Sequence, residues 1–175
     1  MVVPKLTLDT NVLRELWDER PHKEAVEQLL DLAARGEIDL AVSRHVREDI
    51  PREPLASRLA ELPVLKVKET GGVFRLDLST FDGPDVLGTD HADELDRFHS
   101  EAVQLAAKRI SKRSCAKPPD ERDWNHLLAH DSNLRDVFLT WDGGILAVAP
   151  ELLQRFRLTV LTPDEYLQQR AARVE

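Results

Sequence analysis

The stretch LTLDTNVLREL, residues 6–16, decides how the chain is expected to fold. Its first three residues have the composition of a short buried strand, and an apolar, helix-like run begins after Asn11. A single carboxylate, Asp9, lies where the chain leaves the strand. Asp9 is typical of a residue that caps a helix. It is also placed to be the first member of an acidic site assembled from distant parts of the chain.

The composition predicts one globular domain. The chain has 175 residues, of which 42% are hydrophobic and 32% are charged, and this suits a single sizeable core. The one cysteine, Cys115, excludes an internal disulfide and a cysteine-based zinc site. No apolar run approaches the roughly 18 residues that span a bilayer, and Asp9 interrupts the N-terminal apolar residues too early for a signal peptide. We therefore expect a cytoplasmic protein without a membrane segment.

The charges are unevenly distributed along the chain. The net charge of −8 argues against a protein that coats nucleic acid by bulk electrostatics. Residues 77–96 contain seven acids and no Lys or Arg, whereas residues 108–122 contain six bases against two acids. Most runs of this kind are solvated surface.

Strand and helix patterns alternate along the chain. Strand-like runs lie at residues 2–8, 38–43, 64–67, 137–140 and 158–161, and residues 73–78 fit either a strand or a loop. Helical periodicity covers residues 11–18, 23–34, 44–50, 91–112, 123–130 and 145–156. Thr162, Pro163 and Glu165 form a capping-box signature for a terminal helix. The alternation predicts an α/β fold with three α/β/α layers and a central parallel sheet of four to five strands.

Three further acids occupy places comparable with that of Asp9. Asp142 follows the strand-like VFLT, Asp123 begins the helical DWNHLLAH, and Asp49 lies one turn into the helix after LAVS, with Glu48 beside it. Ligands of parallel sheets bind at the carboxyl ends of the strands, so folding could bring these acids together. Clustered carboxylates repel one another, and a hard cation such as Mg²⁺ or Mn²⁺ removes that conflict. An ion held in this way can activate water and stabilise charge on a phosphodiester.

The motifs LDTNVL, SRHVREDI, DWNHLL and FLTWDGGIL, in that order, resemble those of the PIN-domain nucleases. The family's first acid falls on Asp9, its third on Asp123 in a D-x-x-H-L pattern, and its fourth on Asp142 in T-x-D. The second falls on Asp49 in V-x-x-D-I, with Glu48 as the neighbour that could replace it. The resemblance implies that these four acids are the catalytic, metal-binding residues of an endoribonuclease that depends on Mg²⁺ or Mn²⁺.

The same resemblance carries expectations about organisation and partners. Residues 1–175 would form a single PIN-like domain, with an insertion of roughly residues 69–117 relative to short family members. RNA is the implied substrate, and a homodimer is expected. The protein could also be the toxin of a toxin–antitoxin pair, in which case an antitoxin protein would block the site.

Residues beside the acids are predicted to support the site. Asn11, Thr140 and Glu48 are placed to hydrogen-bond around the ligands. His126 is interpreted as a structural residue of its helix. Trp124 and Trp141 flank two of the acids, and core packing is preferred to base stacking for both.

The basic run before Asp123 is the predicted surface for an RNA backbone. A local positive surface of this kind would answer the objection that the net charge is negative. Its residues are Lys108, Arg109, Lys112, Arg113, Lys117 and Arg122.

Two other functions remain open from the sequence. A PIN-like scaffold that has lost catalysis could serve as a module that binds nucleic acid or protein. A phosphatase of the haloacid dehalogenase type also places an Asp after its first strand. That class needs D-x-D, whereas this chain has Asp9-Thr10-Asn11, and the missing second acid disfavours it.

Overall fold

A parallel sheet forms the centre of the fold. The computed structural model of the chain describes residues 3–18, 20–43, 45–49, 57–58, 68–70, 90–110 and 116–174. The strands in these residues are β1 Lys5–Leu8, β2 Asp39–Ser43, β3 Lys68–Thr70, β4 Val137–Leu139 and β5 Thr159–Leu161. They pair in the order β3-β2-β1-β4-β5, and every pairing is parallel. The predicted α/β fold is confirmed.

Asp9, Asp120 and Asp142 cap the beginnings of three of the helices with their side chains. The described helices are α1 Thr10–Trp17, α2 Lys23–Ala34, α3 Val46–Asp49, α4 Asp90–Arg109, α5 Glu121–Ser132, α6 Gly143–Phe156 and α7 Pro163–Val174. The terminal helix α7 has the predicted capping box, because the Thr162 hydroxyl accepts from the Glu165 N–H at 3.2 Å and the Glu165 carboxylate accepts from the Thr162 N–H at 2.8 Å.

Two hydrophobic clusters cover the two faces of the sheet. Leu6 and Leu8 of β1 are buried together with apolar residues of α1 and α2. Phe138 of β4 is buried in a second cluster with residues of α4, α5 and α6. Adjacent residues of a strand point to opposite faces, and Leu139, next to Phe138, accordingly joins the first cluster. Helices therefore pack on both faces, as the three-layer prediction requires.

Some element boundaries differ from those predicted. β1 begins at Lys5 rather than at residue 2, α4 ends at Arg109 rather than at residue 112, and α6 begins two residues before Ile145. Element ends are decided by caps and local contacts that periodicity does not report. None of these differences changes which face of an element is buried.

The prediction that Asp123 begins a helix is wrong. The helix α5 begins at Glu121, and Asp120 is its N-cap. The Asp120 carboxylate accepts from the Arg122 N–H at 2.8 Å and from the Asp123 N–H at 3.2 Å. These bonds satisfy backbone donors that the first turn leaves free. Asp123 is therefore the third residue of the helix and not its cap.

Several predictions fall on residues that the structure does not describe. They include the strand at 64–67, the segment 73–78, most of the acidic run 77–96 and Cys115. Lys112 and Arg113 of the basic run also lie outside the described residues. Within the part of the chain that is described, no helix combines the length and apolar composition needed to cross a bilayer.

The order of the strands creates a crevice beside β1. From β1 the chain continues to β2 and β3 on one side, and β4 and β5 then lie on the other side of β1. The helices that follow β1 and β4 pack on opposite faces. This is a topological switch point, where open α/β sheets bind their ligands at the carboxyl ends of the strands. Asp9 and Asp142 both follow strands at this edge.

A buried histidine in α5 makes the stability of the fold depend on pH. His130 is fully buried, with Nδ1 2.9 Å from the Thr7 hydroxyl oxygen and its ring edge-on to Phe138. Burial, together with the charge of Arg135, lowers the pKa of His130 from 6.5 to about 3. The folded protein therefore keeps this imidazole neutral at a pH where the unfolded chain protonates it.

We expect the free energy of unfolding to fall as the pH drops from about 6.5 towards 3. The contribution of His130 is at most about 1.4 kcal/mol per pH unit in this window and is constant above it. Urea unfolding of the wild type and of His130→Gln between about pH 7.5 and 4.5 measures it. The variant should be less stable near pH 7 but should lose stability less steeply than the wild type as the pH falls. Equal slopes for wild type and His130→Gln would contradict this assignment.

Candidate active site

Asp9 lies at the carboxyl end of β1 and is only 3% exposed. Its N–H donates to the Leu139 carbonyl at 3.0 Å, so the strand pairing continues up to the acid. Oδ1 accepts from the Thr10 N–H at 2.7 Å, which makes Asp9 the N-cap of α1. Oδ2 accepts from the Thr140 hydroxyl at 2.6 Å and from the Asn11 amide at 2.8 Å. Asp9 is therefore both a helix cap and a firmly oriented buried carboxylate.

Asn11 and Thr140 join the carboxyl ends of β1 and β4. The Asn11 amide donates to the Thr140 hydroxyl oxygen at 2.9 Å, and its carbonyl accepts from the Trp141 N–H at 3.1 Å. The Thr140 oxygen also accepts from the Asp142 N–H at 2.8 Å. The Thr140 hydroxyl thus donates to Asp9 and accepts from Asp142, which links the two residues. Asn11 and Thr140 lie where the sequence placed supporting groups.

Asp142 caps α6 with only one of its two carboxylate oxygens. Oδ1 accepts from the Gly144 N–H at 2.8 Å and from the Ile145 N–H at 2.9 Å. Oδ2 accepts no hydrogen bond from another described residue. One oxygen therefore fixes the side chain, and the other remains available to a ligand.

The segment 116–119 packs directly against the first turn of α6. A Cβ atom on Gly144 would lie 2.1 Å from the Lys117 carbonyl oxygen and 2.8 Å from the Pro119 nitrogen. Glycine is needed here because two backbones approach each other too closely for any side chain. The contact sets the start of α5 beside the start of α6, and it brings Asp123 to the same edge of the sheet as Asp142.

Asp123 is half-buried in the first turn of α5 and has a strongly shifted pKa. Its Oδ2 accepts from the Asp120 N–H at 2.9 Å, which completes a capping box. Burial is the main cause that raises the pKa of Asp123 to about 7, with a further contribution from the charges of Asp142 and Asp9. The hydrogen bond from Asp120 acts in the opposite direction.

Asp9, Asp123 and Asp142 form one electrostatic cluster, named here the acid triad. Burial raises the pKa of Asp9, against the effects of the His126 charge and of its own hydrogen bonds, and the charge of Asp142 raises it further. Asp9 and Asp142 thus both act on Asp123, and Asp142 also acts on Asp9. The fold brings together three of the four acids that the sequence singled out.

Asp49, the fourth acid, lies beside the triad but has other partners. Its Oδ2 accepts from the Thr10 hydroxyl at 2.6 Å and lies 3.0 Å from His126 Nε2. Burial acts to raise the pKa of Asp49, but these bonds and the charges of His126 and Arg14 outweigh it, and the pKa is lowered. The Arg14 guanidinium also donates to the Asp49 carbonyl at 3.1 Å. The side chain of Glu48 lies outside the described residues.

His126 is the residue of the site whose role the sequence analysis missed. It is 1% exposed, and its Nδ1 has no hydrogen-bond partner among the described residues. Burial lowers the pKa of His126, but the hydrogen bond to Asp49 and the surrounding carboxylates raise it overall. The spacing of three residues from Asp123 on one helix was the signal, because such residues share a face. The surrounding carboxylates thus favour the protonated form of His126.

The described bases of the predicted RNA surface differ in their surroundings. Arg109 is engaged by Glu151, whose two carboxylate oxygens meet its guanidinium. Lys108, Lys117 and Arg122 are exposed and form no ion pair with another described residue. The backbone of Lys117 packs against the first turn of α6, and Arg122 directly precedes Asp123.

The two tryptophans that flank the acids have different environments. Trp124 is 1% exposed and packs in the second hydrophobic cluster, where Nε1 donates to the Leu95 carbonyl at 3.2 Å. Core packing is therefore confirmed for Trp124. Trp141 is half-buried, and its ring stacks on His22 with the centroids 4.8 Å apart.

The donor set of the triad fits a hard divalent cation by its chemistry. Three carboxylates without a sulfur ligand suit Mg²⁺ or Mn²⁺, and their mutual repulsion is the conflict that such an ion relieves. In the described residues as they stand, no three His, Cys, Asp or Glu side chains converge closely enough to hold an ion together. The hydrogen bonds of Asp9 and the capping bond of Asp123 occupy oxygens that an ion would use.

Comparison with known proteins adds no identification. No protein-family model matches the chain, and neither does any curated protein or solved structure. The α/β fold and the acid cluster at its switch point therefore carry the functional argument by themselves.

Proposed function

We propose that the chain is a metal-dependent endoribonuclease whose reaction takes place at the acid triad. The observation that carries this proposal is the meeting of Asp9, Asp123 and Asp142 at the switch point, where burial and mutual repulsion raise the pKa of Asp123 to about 7. Proteins do not gather buried carboxylates without a counter-charge. A divalent ion and a substrate phosphate together complete such a site.

The residues of the candidate site have separate roles in the proposed reaction. A bound Mg²⁺ or Mn²⁺ would activate water and neutralise charge on the phosphodiester. Asp9, Asp123 and Asp142 would hold it, while Thr140 and Asn11 keep the strand ends in register. Asp49 would orient His126 at the border of the site. It would therefore support the metal ligands and not bind the ion itself. This assignment departs from the expectation that all four acids bind metal.

The RNA backbone would lie along the exposed basic side chains beside the triad. Lys117 and Arg122 stand before and after the Asp120 cap of α5, and Lys108 lies in the last turn of α4. Phosphate contacts of this kind provide affinity without reading sequence. Arg109 is left out because Glu151 already engages it.

The motif resemblance is also the basis for what we propose about the protein's family, location and partners. It would be a cytoplasmic, PIN-like nuclease that acts as a homodimer. Pairing with an antitoxin protein that covers the triad is the regulation we propose for it. A short reading frame next to its gene, and inhibition of cleavage by that frame's product, would support this part.

The test is cleavage of a structured RNA pool by the purified protein. We expect 5′-phosphate products with Mn²⁺ or Mg²⁺ and no products with EDTA. Since EDTA removes the ion without changing the protein, it controls for a contaminating metal-independent ribonuclease. Absence of cleavage with either ion, or cleavage that persists in EDTA, would contradict the proposal.

Replacing His126 by Gln should lower cleavage by about 10- to 100-fold, the range for residues that orient groups around a metal. Gln keeps a polar group of similar size but loses the imidazole ring and its contact with Asp49 in the present geometry. His99→Gln is the matched control and should cleave like the wild type, because His99 is a partly buried histidine that stacks on Trp124 of the second hydrophobic cluster. Circular dichroism must show both variants folded. Full activity of folded His126→Gln would show that the residue is only structural.

A binding module without catalysis is the second candidate, and the position of Asp49 favours it. Asp49 is turned to Thr10 and His126, and the described carboxylates do not converge on one point. Such a module would bind RNA with equal affinity in Mn²⁺ and in EDTA and would leave it intact. Electrophoresis of the bound RNA distinguishes it from a nuclease.

A further inference from the structure

An open cavity of about 250 Å³ lies between the beginnings of α2 and α7. Its wall is apolar at Pro21, Ala25 and Leu167 and polar elsewhere. Two carboxylates, those of Glu24 and Asp164, lie at its lining, together with the amides of Gln28 and Gln168. No Lys or Arg is among the described residues that line it.

A cluster of three side chains connects this cavity to the triad. The His22 ring, which lines the cavity, stacks on Trp141 at 4.8 Å with an angle of 28° between the planes. Asp164 accepts from Trp141 Nε1 at 3.2 Å and lies 3.4 Å from His22 Nδ1. The backbone of Trp141 is held by Asn11, and the next residue is Asp142. Trp141 therefore joins the lining of the cavity to the strand end that carries Asp142.

We propose that this cavity receives the base of a nucleotide adjacent to the scissile phosphodiester. The half-exposed His22 ring extends the Trp141 stack towards the cavity, and base stacking on such a ring is favourable for any base. The small volume fits one base rather than a larger ligand. A phosphate is excluded, because the cavity offers carboxylates and no fixed cation.

The polar groups also determine which base is preferred. Ionised carboxylates only accept hydrogen bonds, so Glu24 and Asp164 select bases that present an amino group. Adenine, cytosine and guanine carry such a group, whereas uracil has only one imino N–H, which lies between two carbonyl oxygens that repel a carboxylate. The cavity therefore selects against uracil at one position beside the cut. This inference rests on the proposed ribonuclease function.

Binding in EDTA tests the cavity independently of catalysis. Labelled oligo(A), oligo(C) and oligo(U) of equal length are titrated with the wild type and followed by fluorescence anisotropy. We expect oligo(A) and oligo(C) to bind at least about fivefold more tightly than oligo(U). In Glu24→Gln/Asp164→Asn the ratio should fall below about twofold, because an amide also donates to uracil oxygens. The ratio is the readout, since removing two negative charges raises affinity for every RNA.

Glu27→Gln is the matched control, because Glu27 lies on the same helix, pairs with Lys23 and does not line the cavity. It should keep the wild-type ratio. Equal binding of the three oligonucleotides, or a ratio that the double variant leaves unchanged, would overturn the inference. A preference seen in EDTA and lost in the double variant supports the cavity even if no RNA is ever cleaved. Cleavage that depends on the triad but shows no base preference would refute the proposal for the cavity and would leave the proposed nuclease function standing.

Discussion

Replacing Asp9 by Asn is expected to reduce metal-dependent RNA cleavage by at least about 100-fold. A loss of this size corresponds to about 2.7 kcal/mol of transition-state stabilisation, which is within the contribution of a bound divalent ion. The Asn side chain has one acceptor oxygen where Asp9 has two, and its amide would face the Asn11 amide. Initial rates at saturating Mn²⁺ for the wild type and the variant measure the effect.

Asp142→Asn should give a similar loss for a more specific reason. Its capping bonds use Oδ1, which an Asn carbonyl reproduces, so mainly the uncommitted oxygen changes. Asp18→Asn is the control, because Asp18 is an exposed carboxylate at the other end of α1. It should retain wild-type activity. If Asp9→Asn and Asp142→Asn both fold and both cleave at the wild-type rate, the triad is not the catalytic site.

Gly144→Ala is expected to be the most destabilising single-methyl change at the site. The new Cβ would lie 2.1 Å from the Lys117 carbonyl oxygen and 2.8 Å from the Pro119 nitrogen, and backbone atoms cannot move aside as a flexible side chain can. We expect a cost of about 3 kcal/mol or more, which lowers the melting temperature by roughly 6–12 °C for a chain of this size. Thermal unfolding followed by circular dichroism provides the measurement.

Gly143→Ala supplies a matched comparison at the neighbouring position. Its Cβ would lie 2.6 Å from the Ala116 Cβ, which is a side-chain atom that can be removed. The double variant Gly143→Ala/Ala116→Gly should therefore recover most of the stability lost in Gly143→Ala. Ala116→Gly should not rescue Gly144→Ala. A fully stable Gly144→Ala protein would show that the segment 116–119 does not pack against α6 as described.

The central part of the fold and two members of the triad were predictable from local patterns. Asp9 and Asp142 each follow an apolar strand and precede a helix, and parallel strands align such junctions at one edge. That placement follows from strand direction alone. It did not require knowledge of how helices pack, and the structure agrees at both residues.

The positions that depend on helix capping and tertiary contacts were not predictable in the same way. Asp120 and Asp123 are both plausible caps in sequence, and only their backbone bonds decide between them. Asp49 belongs to a helix of four residues, and its side chain is oriented by Thr10 and His126. Periodicity carries no information about such long-range bonds.

Charge runs were equally limited as a guide. Arg109 looks like its neighbour Lys108 in the sequence, but Glu151, from a helix that follows much later, engages its guanidinium. Gly144 looks like a turn residue, whereas its actual constraint is the Lys117 backbone. Both cases involve a partner that is distant in sequence, and a single sequence does not reveal such partners.

Anomalous scattering from Mn²⁺-soaked crystals tests the central claim most directly. The account predicts a manganese peak bounded by the carboxylates of Asp9, Asp123 and Asp142, with Asp49 outside the inner ligands. The same peak should be missing from crystals of Asp142→Asn soaked in the same way. A wild-type map with no peak at the triad, or with manganese bound only elsewhere, would contradict the claim that these three acids form a metal centre.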